Sequence, residues 1–435
     1  MTTDAQPDIK DRRTAATVER RIVLAEKALL LCIDDSFLLM DMTDLGQDKH
    51  RSGPPGLKPL DQGIYVHVPF CSSTCDFCAF YQIKPTAGAV DQFLKGIEAE
   101  AELIPWRGPI STVFWGGGTP GLLSPDDLDR LAKIIRKKTV IQPIEWSIEL
   151  APAWVTKARL EVLRDNGINR ISMGIQSFSD ELLDGLGRQH TPKQVYKAYE
   201  LIREMGFKNV NVDMMFALPG QTEAEWLKDL EEAIALKPDH ISTYCLTFEE
   251  DTALWIKLSE GRVKLDPEHE AKLYEATWEK LHQEGYQQYE VSNFAKPGFE
   301  CRHNLSTWKM QEWIGLGPSA ASQHDGMRGV NPADLALWSQ QLNAGKRMQE
   351  DRRVLTADLL LEDSLIFGLR VNQGVDLAQA RIRFPDANWT FVEAKLSTLE
   401  SEGLLKISSE VVRLTNKGRL LADSVGTELL GLGSD

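Results

Sequence analysis

The strongest constraint on the fold of this 435-residue chain is a regular alternation of short apolar runs with longer amphipathic stretches. From residue 63 onward, each run rich in β-branched and aromatic residues is followed by a stretch with helical periodicity. This alternation predicts parallel strands connected by crossover helices. The predicted strands are Ile64–Val68, Thr112–Trp115, Trp146–Leu150, Ile171–Ile175, Val210–Phe216 and Ile241–Leu246.

The amphipathic stretches between these runs predict the crossover helices. They are Val90–Leu103, Leu128–Lys137, Ala158–Asn166, Gln194–Met205 and Glu225–Leu236. Six strand units without a dinucleotide-binding fingerprint favour an α/β fold of the partial (β/α)6, TIM-like barrel type over a doubly wound sheet, although periodicity alone does not distinguish the two.

Polar residues at the ends of three predicted strands also favour the barrel. Glu149, Gln176 and Asp213 each stand where a strand ends, and in a β/α barrel those carboxyl ends line the mouth of the active site. Any one of them could instead be a buried polar group bonded to the backbone. Three at equivalent positions predict a shared site.

The sequence before the barrel lacks the alternation of strands and helices that the barrel itself shows. Residues 1–62 predict an N-terminal extension with a helix, Ala15–Ile33, and a Gly/Pro linker, Ser52–Gly56. Residues 63–350 are predicted to form the barrel and a segment that closes it. That segment is expected to be irregular apart from one helix and one short strand, Glu268–Glu284 and Tyr286–Val291.

Residues 351–435 predict a winged-helix-like C-terminal domain. Its predicted elements are two helices, a hairpin and a final helix, at Ala357–Gly368, Thr390–Glu402, Leu404–Leu414 and Lys417–Leu430. Residues 350–435 hold 10 Lys and Arg against 14 Asp and Glu, a charge balance that disfavours phosphate contacts. The predicted role of this domain is a lid over the barrel or a partner surface.

The overall charge and hydropathy exclude two classes of protein. A net charge of −15 argues against nucleic-acid and anionic-membrane binding. No apolar run approaches the ~20 residues that span a bilayer, and the acidic start of the chain is untypical of a secretion signal or a transit peptide. The sequence therefore predicts a cytoplasmic protein that is not integral to a membrane.

Three of the six cysteines, Cys71, Cys75 and Cys78, fall within eight residues. In a reducing compartment such a cluster indicates metal binding. Pro69 and the Ser72–Thr74 run predict a loop, which could wrap a [4Fe–4S] cube with three thiolates and leave one iron open. The amine and carboxylate of S-adenosylmethionine could chelate that iron. The alternative is a zinc site closed by a fourth ligand, Cys301 or His303.

The next predicted strand ends in Trp115-Gly-Gly-Gly-Thr119-Pro120. Three glycines allow the backbone to approach a ligand closely; their carbonyls could accept from an ammonium, and Thr119 could donate to a carboxylate. Alone, this is a tight turn between strand and helix. One unit after the cysteines, it is interpreted as a second wall of the same site.

The cysteine loop and the Gly-Gly-Gly-Thr-Pro turn resemble the radical SAM superfamily. More narrowly, Gly174–Phe178, Gly187–His190, Asn211–Asp213 and Leu218–Thr222 resemble the oxygen-independent coproporphyrinogen III oxidase family. The resemblance covers roughly residues 60–430 and implies a radical SAM barrel that binds and reductively cleaves S-adenosylmethionine. It implies Cys71, Cys75 and Cys78 as cluster ligands, and as S-adenosylmethionine contacts Tyr65, Phe77, Gly117, Gly118, Thr119, Glu149, Gln176, Arg188 and Asp213.

Two positions favour the heme chaperone (HemW-type) branch of that family over the oxidase. The oxidase has a further cysteine two residues after the third, where this chain has Phe80. The chaperone branch has a His-Asn-x-x-Tyr-Trp motif, which resembles His303-Asn-Leu-Ser-Thr307-Trp308 here, with Thr307 in the tyrosine position.

The chaperone branch implies heme as a further ligand. Neutral imidazole is a common axial ligand of heme iron, so His303 is the candidate, with Cys301 as a soft alternative. His303 could instead be a hydrogen-bonding residue of the closing segment. His67, within the first strand, is interpreted as structural.

Three functions follow as hypotheses. The first is a heme chaperone that retains the radical SAM site and delivers heme to a recipient protein. The alternative is a coproporphyrinogen III oxidase that takes electrons from a donor and oxidatively decarboxylates a propionate. The third is a zinc-stabilised binding protein without redox chemistry. None of the three binds nucleic acid.

Overall fold

The computed structural model describes residues 62–139 and 141–431. The predicted helix Ala15–Ile33 and the linker Ser52–Gly56 lie outside the described residues.

Six parallel strands follow one another in chain order at the centre of the larger sheet. They are β1 (Gln62–Val68), β2 (Ile110–Gly117), β3 (Glu145–Leu150), β4 (Arg170–Gln176), β5 (Asn209–Phe216) and β6 (His240–Cys245). Each matches a predicted strand to within two residues at either end. The prediction of a partial parallel barrel is therefore confirmed.

Helices cross over between these strands and continue after β6. They are α1 (Ala87–Leu103), α2 (Pro125–Arg136), α3 (Lys157–Asp165), α4 (Asp180–Gly185), α5 (Pro192–Glu204), α6 (Glu223–Ala235), α7 (Ala253–Ser259) and α8 (Pro267–Gln283). The starts are fixed locally: Ser124 caps α2 ahead of Pro125, and Thr222 forms a capping box with Glu225 at α6. Within the described residues, no helix is both long and apolar enough to cross a bilayer.

Alternation along the strands separates an apolar outer layer from a polar interior. On β1, Ile64, Val66 and Val68 are fully buried in the core beneath the helices, whereas Tyr65 and His67 face the barrel interior. The interior positions of β3 to β6 are mostly polar: Glu145, Ser147, Glu149, Ser172, Asn211, Asp213, His240 and Ser242. The barrel therefore holds hydrogen-bonding groups where many barrels hold aliphatic side chains.

The closing segment is more regular than the sequence suggests. Beyond α8 it contains β7 (Gln287–Glu290), β8 (Asn293–Ala295), α9 (Arg302–Trp308), β9 (Trp313–Leu316), β10 (Ala321–His324), β11 (Met327–Val330), α10 (Leu335–Asn343) and β12 (Glu350–Val354). The expectation of largely irregular sequence was wrong, because strands of three to five residues are too short to show periodicity. Strand β9 pairs in parallel with β1, on the side away from β2.

The C-terminal unit has its own apolar core. Its elements are α11 (Ala357–Gly368), β13 (Val375–Asp376), α12 (Leu377–Arg383), α13 (Trp389–Ser401), β14 (Leu405–Ser408), β15 (Val411–Leu414), α14 (Asn416–Leu420) and α15 (Ala422–Glu428). The predicted hairpin is present as β14 and β15. The prediction of a single final helix was wrong, because the helix is interrupted at Leu421 (φ −118°, ψ 28°). Three residues earlier, Gly418 packs so closely that a Cβ would lie 2.0 Å from the Leu404 carbonyl oxygen.

The C-terminal unit packs against the floor of the barrel, the end where the strands begin. Trp308, at the end of α9, is part of its core. The Asn372 amide donates to the Tyr289 carbonyl (2.9 Å), and Arg419 donates to the Gln288 side chain (2.8 Å). Because α9 lies on the starts of β2 and β3, the expectation of a lid over the mouth was wrong.

A buried carboxylate ties the closing segment to the barrel. Glu100 on α1 is fully buried. Its Oε2 accepts from the Gly317 amide (2.9 Å) and the Trp338 indole (3.2 Å). Its Oε1 accepts from the Asn331 amide group (2.7 Å) and Arg347 Nε (2.8 Å). Four donors satisfy the charge, so Glu100 fixes the turn that follows β9.

Replacing Glu100 by alanine should destabilise the protein by about 3–5 kcal/mol, because Arg347, whose side chain is only 13% exposed, would lose its carboxylate partner. Urea denaturation measures the change. The matched control is Glu102→Ala on the same helix, whose carboxylate is 62% exposed beside Lys138; it should cost less than about 1 kcal/mol. Equal losses for the two variants would contradict the anchoring role of Glu100.

Candidate functional site

The three clustered cysteines lie in a loop that runs from the end of β1 to α1. The loop is pinched at its base, where the Cys71 amide donates to the Ile83 carbonyl (3.0 Å) and the Ile83 amide to the Pro69 carbonyl (2.7 Å). A tight turn follows, with the Cys78 amide donating to the Cys75 carbonyl (3.1 Å). All three side chains are half-buried free thiols, at the mouth of the barrel.

The thiols lie close enough to influence one another electrostatically. Burial is the main cause that raises the pKa of Cys78 to about 12, and the nearby thiols of Cys75 and Cys71 add to the rise. The pKa of Cys71 is also raised, first by burial and then by Cys75. Thiols in such surroundings ionise when a metal binds them, because the metal charge deprotonates a coordinating thiol outright.

Two polar groups from loops elsewhere in the barrel reach these thiols. The Thr119 hydroxyl lies 3.6 Å from Cys71 Sγ. Arg188 donates from Nη1 to Cys75 Sγ (3.4 Å) and from Nη2 to the Gly174 carbonyl (3.1 Å). A cation beside a thiolate stabilises its charge, so Arg188 contributes to the site from the loop between α4 and α5.

The three glycines let the turn after β2 lie against the end of β1. The Gly118 amide donates to the Val68 carbonyl at 2.9 Å, and a Cβ at Gly118 would stand 2.7 Å from that same oxygen. Gly117 has φ +94°, and a Cβ there would meet His67 Nδ1 at 2.4 Å. Side chains at these positions would separate the turn from β1.

Two carboxyl groups form the inner wall. A Cβ at Gly116 would lie 2.9 Å from the Glu149 carboxylate. Burial, with the neighbouring Asp213 carboxyl, raises the pKa of Glu149 to about 8. Burial also raises the pKa of Asp213, although Ser172 (3.0 Å) and Asn211 (2.7 Å) donate hydrogen bonds to it.

Unpartnered polar atoms face the same region. Among the described residues, Gln176 Oε1 and Arg188 Nε are buried without a hydrogen-bond partner. Gln176 also has a left-handed backbone, φ +65°. Buried polar atoms are almost always satisfied, so orphaned ones beside thiols and carboxyls indicate a polar ligand. The glycine cradle and these groups fit an amino acid and a ribose.

Tyr65 and Phe77 occupy different parts of the site. Tyr65 lies inside the barrel, its hydroxyl 3.3 Å from His67 Nδ1. The other ring nitrogen of His67 lies 3.0 Å from the Tyr81 carbonyl oxygen, a structural arrangement. Phe77 packs at the rim against an apolar cluster that includes Leu186 and Leu254.

His303 and Cys301 lie at the opposite end of the strands. His303 Nδ1 is 2.9 Å from the Thr112 hydroxyl at the start of β2, and its ring stacks on Phe114 with 5.4 Å between centroids. Glu145, at the start of β3, accepts from the backbone amide of His303 (3.0 Å) and from the Cys301 thiol (3.4 Å). Neither residue can close a zinc site with the loop cysteines, so that alternative was wrong in its choice of fourth ligand.

The sequence pattern missed two features of the site. The turn after β9 reaches the end of β1: a Cβ at Gly317 would lie 2.5 Å from the His67 carbonyl oxygen. Asp76, inside the cysteine loop, pairs with Lys257 on α7 at 2.7 Å. No local pattern signals either feature, because both depend on contacts between distant segments.

The chain matches two family models. Residues 65–233 match the model described as the radical SAM superfamily, and residues 355–421 match the HemN C-terminal domain. The first match contains the cysteine loop, the glycine turn and both carboxyl groups; the second covers most of the C-terminal unit.

Known proteins resemble the chain over most of its length. It is 33% identical to heme chaperone HemW of Bacillus subtilis over 85% of this chain and 99% of that protein. It is 34% identical to heme chaperone HemW of Mycobacterium tuberculosis over 87% and 97% of the two chains. Among solved structures, coproporphyrinogen III oxidase (HemN) of Escherichia coli, described as a radical SAM enzyme, matches with a TM-score of 0.74 and 26% identity over 85% of this chain and 90% of that one.

The raised pKa of Glu149 predicts a pH-dependent gain in stability for Glu149→Gln in the metal-free protein. A carboxyl whose pKa rises from 4.5 to about 8 on folding opposes folding once ionised, so its contribution is intact below about pH 4.5 and is lost as the pH rises toward 8. The amide should raise the free energy of unfolding by roughly 2–4 kcal/mol at pH 8 and leave it unchanged near pH 4. Chemical denaturation at both pH values measures this.

The exposed Glu181 on α4 offers the matched control. Glu181→Gln should leave stability unchanged at both pH values. If Glu149→Gln gains no stability at pH 8, Glu149 is ionised at that pH without destabilising the fold.

Proposed function

Because this chain belongs to the heme chaperone HemW family of radical SAM proteins, we propose that it binds heme and delivers it to a recipient protein while retaining a working S-adenosylmethionine site. The observation that carries the second part is the placement of three thiols in one loop, beside the cationic Arg188 and a glycine cradle at the mouth of the barrel. The two parts occupy opposite ends of the fold.

In this proposal Cys71, Cys75 and Cys78 hold a [4Fe–4S] cluster. The loop is open and outside regular structure, so it can surround a group larger than a single ion. Phe80 stands where the oxidase family has a further cysteine. When bound, the cluster supplies one electron, from an external donor, for reductive cleavage of S-adenosylmethionine.

The neighbouring residues bind and orient the nucleotide. Glu149 and Asp213 accept hydrogen bonds from its ammonium and ribose hydroxyls, and Gln176 supplies its unpartnered oxygen. Arg188 and Thr119 contact the carboxylate. Gly117 and Gly118 let the backbone approach. Tyr65 and Phe77 complete the contact set, Phe77 from the apolar rim beside the adenine.

For heme, the proposed ligand is His303. A histidine that ligates iron usually donates its other ring N–H to a nearby acceptor, and Thr112 is placed to accept from Nδ1, which leaves Nε2 for iron. His303 is only 7% exposed, so heme entry requires α9 to shift. Thr307 donates to the His303 carbonyl (3.0 Å) and takes no part in ligation.

The proposal places the protein in the cytoplasm, a reducing compartment that suits its free thiols. It assigns the nucleotide site to the barrel domain, residues 63–350, and treats residues 351–435 as a separate winged-helix-like domain after the N-terminal extension, residues 1–62.

Replacing all three loop cysteines by alanine should abolish the brown colour and bound iron of anaerobically reconstituted protein, together with S-adenosylmethionine cleavage. The reason is that no other described thiol lies in the loop. Iron analysis, absorbance and nucleoside chromatography measure the losses. Cys245→Ala, on β6, should retain all three properties; iron retained by the triple variant would overturn the cluster assignment.

Anaerobic incubation with coproporphyrinogen III distinguishes chaperone from oxidase. The chaperone should bind heme and leave the porphyrinogen unchanged while S-adenosylmethionine and reductant are present. Mass spectrometry of tetrapyrrole and nucleoside measures both. Consumption of the porphyrinogen in proportion to S-adenosylmethionine would show an oxidase.

His303→Ala should weaken heme affinity by about tenfold or more, because an axial ligand is lost. Absorbance titration with heme measures this, and circular dichroism checks the fold. His269→Ala is the control, since the His269 ring bonds the Gln221 carbonyl (3.0 Å), far from α9 in the sequence. Unchanged heme affinity in His303→Ala would exclude His303 as the ligand.

A further inference from the structure

Asp76 connects the cysteine loop to other parts of the chain through its backbone and its side chain. Its amide donates to the Leu186 carbonyl (3.1 Å), and its carbonyl accepts from the Leu254 amide (2.9 Å). Its carboxylate pairs with Lys257 Nζ at 2.7 Å. Its Oδ1 also fills the space beside Gly187, where a Cβ would lie 3.0 Å away. The middle of the loop is therefore fastened to two other segments.

The first of these segments already belongs to the site. Leu186 and Gly187 directly precede Arg188, whose guanidinium reaches Cys75 Sγ. Fastening Asp76 to this segment therefore keeps Cys75 and Arg188 at a fixed separation. The attachment is through the backbone, so it does not depend on the charge of Asp76.

The second segment is α7, which the nucleotide site does not otherwise use. Leu254 is buried in the rim cluster with Leu186 and the partly buried Phe77. Lys257 lies in the last turn of α7, and its carbonyl accepts from the Arg262 amide (2.9 Å). Helix α7 therefore touches the cysteine loop by an apolar contact, a backbone hydrogen bond and an ion pair.

The ion pair also affects the charge of the cysteine loop. Asp76 stands between Cys75 and Cys78 in the sequence, so its carboxylate belongs to the loop in which cluster-bound thiolates would concentrate negative charge. Net charge around an iron–sulfur cluster is one of the terms that fix its reduction potential. Lys257 offsets the carboxylate, so losing the lysine leaves the loop both looser and more negative.

We propose that Lys257 is a positioning residue for the cluster: through Asp76 it fixes the middle of the cysteine loop and neutralises the one carboxylate inside it. This inference rests on the proposed function of that loop as the cluster site. It gives α7 a defined role, as the support of the loop on the side opposite the glycine turn.

The experiment compares Lys257→Met, Asp76→Asn and the double variant in the full chain after anaerobic reconstitution. Two properties are measured: the midpoint potential, by spectroscopically monitored redox titration, and the rate of iron release to a chelator. Lys257→Met should shift the potential to more negative values, because Asp76 is left uncompensated. It should release iron about two- to fivefold faster, the loss expected for one partly exposed ion pair.

The other variants separate charge from tethering. The double variant should return the potential toward the native value, since both charges are gone, while iron release stays fast. Lys257→Arg should restore slow release. Lys280→Met is the matched control, because Lys280 pairs with Glu231 at 2.9 Å and is 25% exposed, against 31% for Lys257, but lies away from the loop.

The outcomes for the inference and for the function are distinct. A native protein that holds no cluster would refute the proposed function. A native protein that holds the cluster, with Lys257→Met indistinguishable from Lys280→Met in potential and in iron release, would overturn the role of Lys257 and leave the function intact. A shift in potential that the double variant fails to reverse would also overturn it.

Discussion

The backbone contact between the ends of β1 and β2 is the constraint on which the site depends. Val68 and Gly117 are the last paired residues of the two strands. Beyond them the two segments remain hydrogen-bonded, Gly118 to Val68 and Thr119 to Phe70 (2.7 Å). The absence of Cβ atoms permits this approach. It brings Thr119 to the first cysteine and leaves the neighbouring strand free to present Glu149 beneath the turn.

The cost of the site lies in its buried carboxyl groups. Glu149 and Asp213 have raised pKa values because burial disfavours their ions. A fold optimised only for stability would not place two carboxyls there; in the proposed function they accept hydrogen bonds from an ammonium and from ribose hydroxyls. Glu100, by contrast, is buried with four donors and stabilises the frame around the site. Glu100 is paired with Arg347, whereas burial raises the pKa of Glu149 and Asp213 despite the hydrogen bonds they accept.

The parallel strands could be predicted because each has six to eight residues, long enough to show its pattern of apolar and β-branched positions. The strand-end positions of Glu149, Gln176 and Asp213 followed from those boundaries. Strand β7 was predicted, as Tyr286–Val291, but strands β8 to β12 escaped prediction because each has five residues or fewer. Their place in the sheet depends on pairings such as β9 with β1, which join residues far apart in the sequence.

The same limit applies within the site. The three cysteines are close together in the sequence, and the glycines follow one strand–helix unit later, so this pattern alone predicts a shared site. Asp76 and Lys257 are separated by 181 positions, and no local pattern relates one aspartate to one lysine at that range. The prediction of a lid over the mouth was wrong for the same reason. The sequence of the C-terminal unit contains no local pattern that indicates which surface of the barrel it covers.

The location of α9 distinguishes the two tetrapyrrole functions on physical grounds. From Thr112, which contacts His303, to Gly118 beside the cysteine loop, β2 and its turn rise by six residues, about 20 Å at roughly 3.3 Å per residue. The substrate of an oxidase must react beside the cysteine loop, at the mouth of the barrel. His303 could therefore not hold such a substrate. In the proposed function, heme held by His303 lies beside the C-terminal unit, which shares α9, and away from the nucleotide. His303 then serves heme transfer, because it lies too far from the cysteine loop to hold an oxidase substrate.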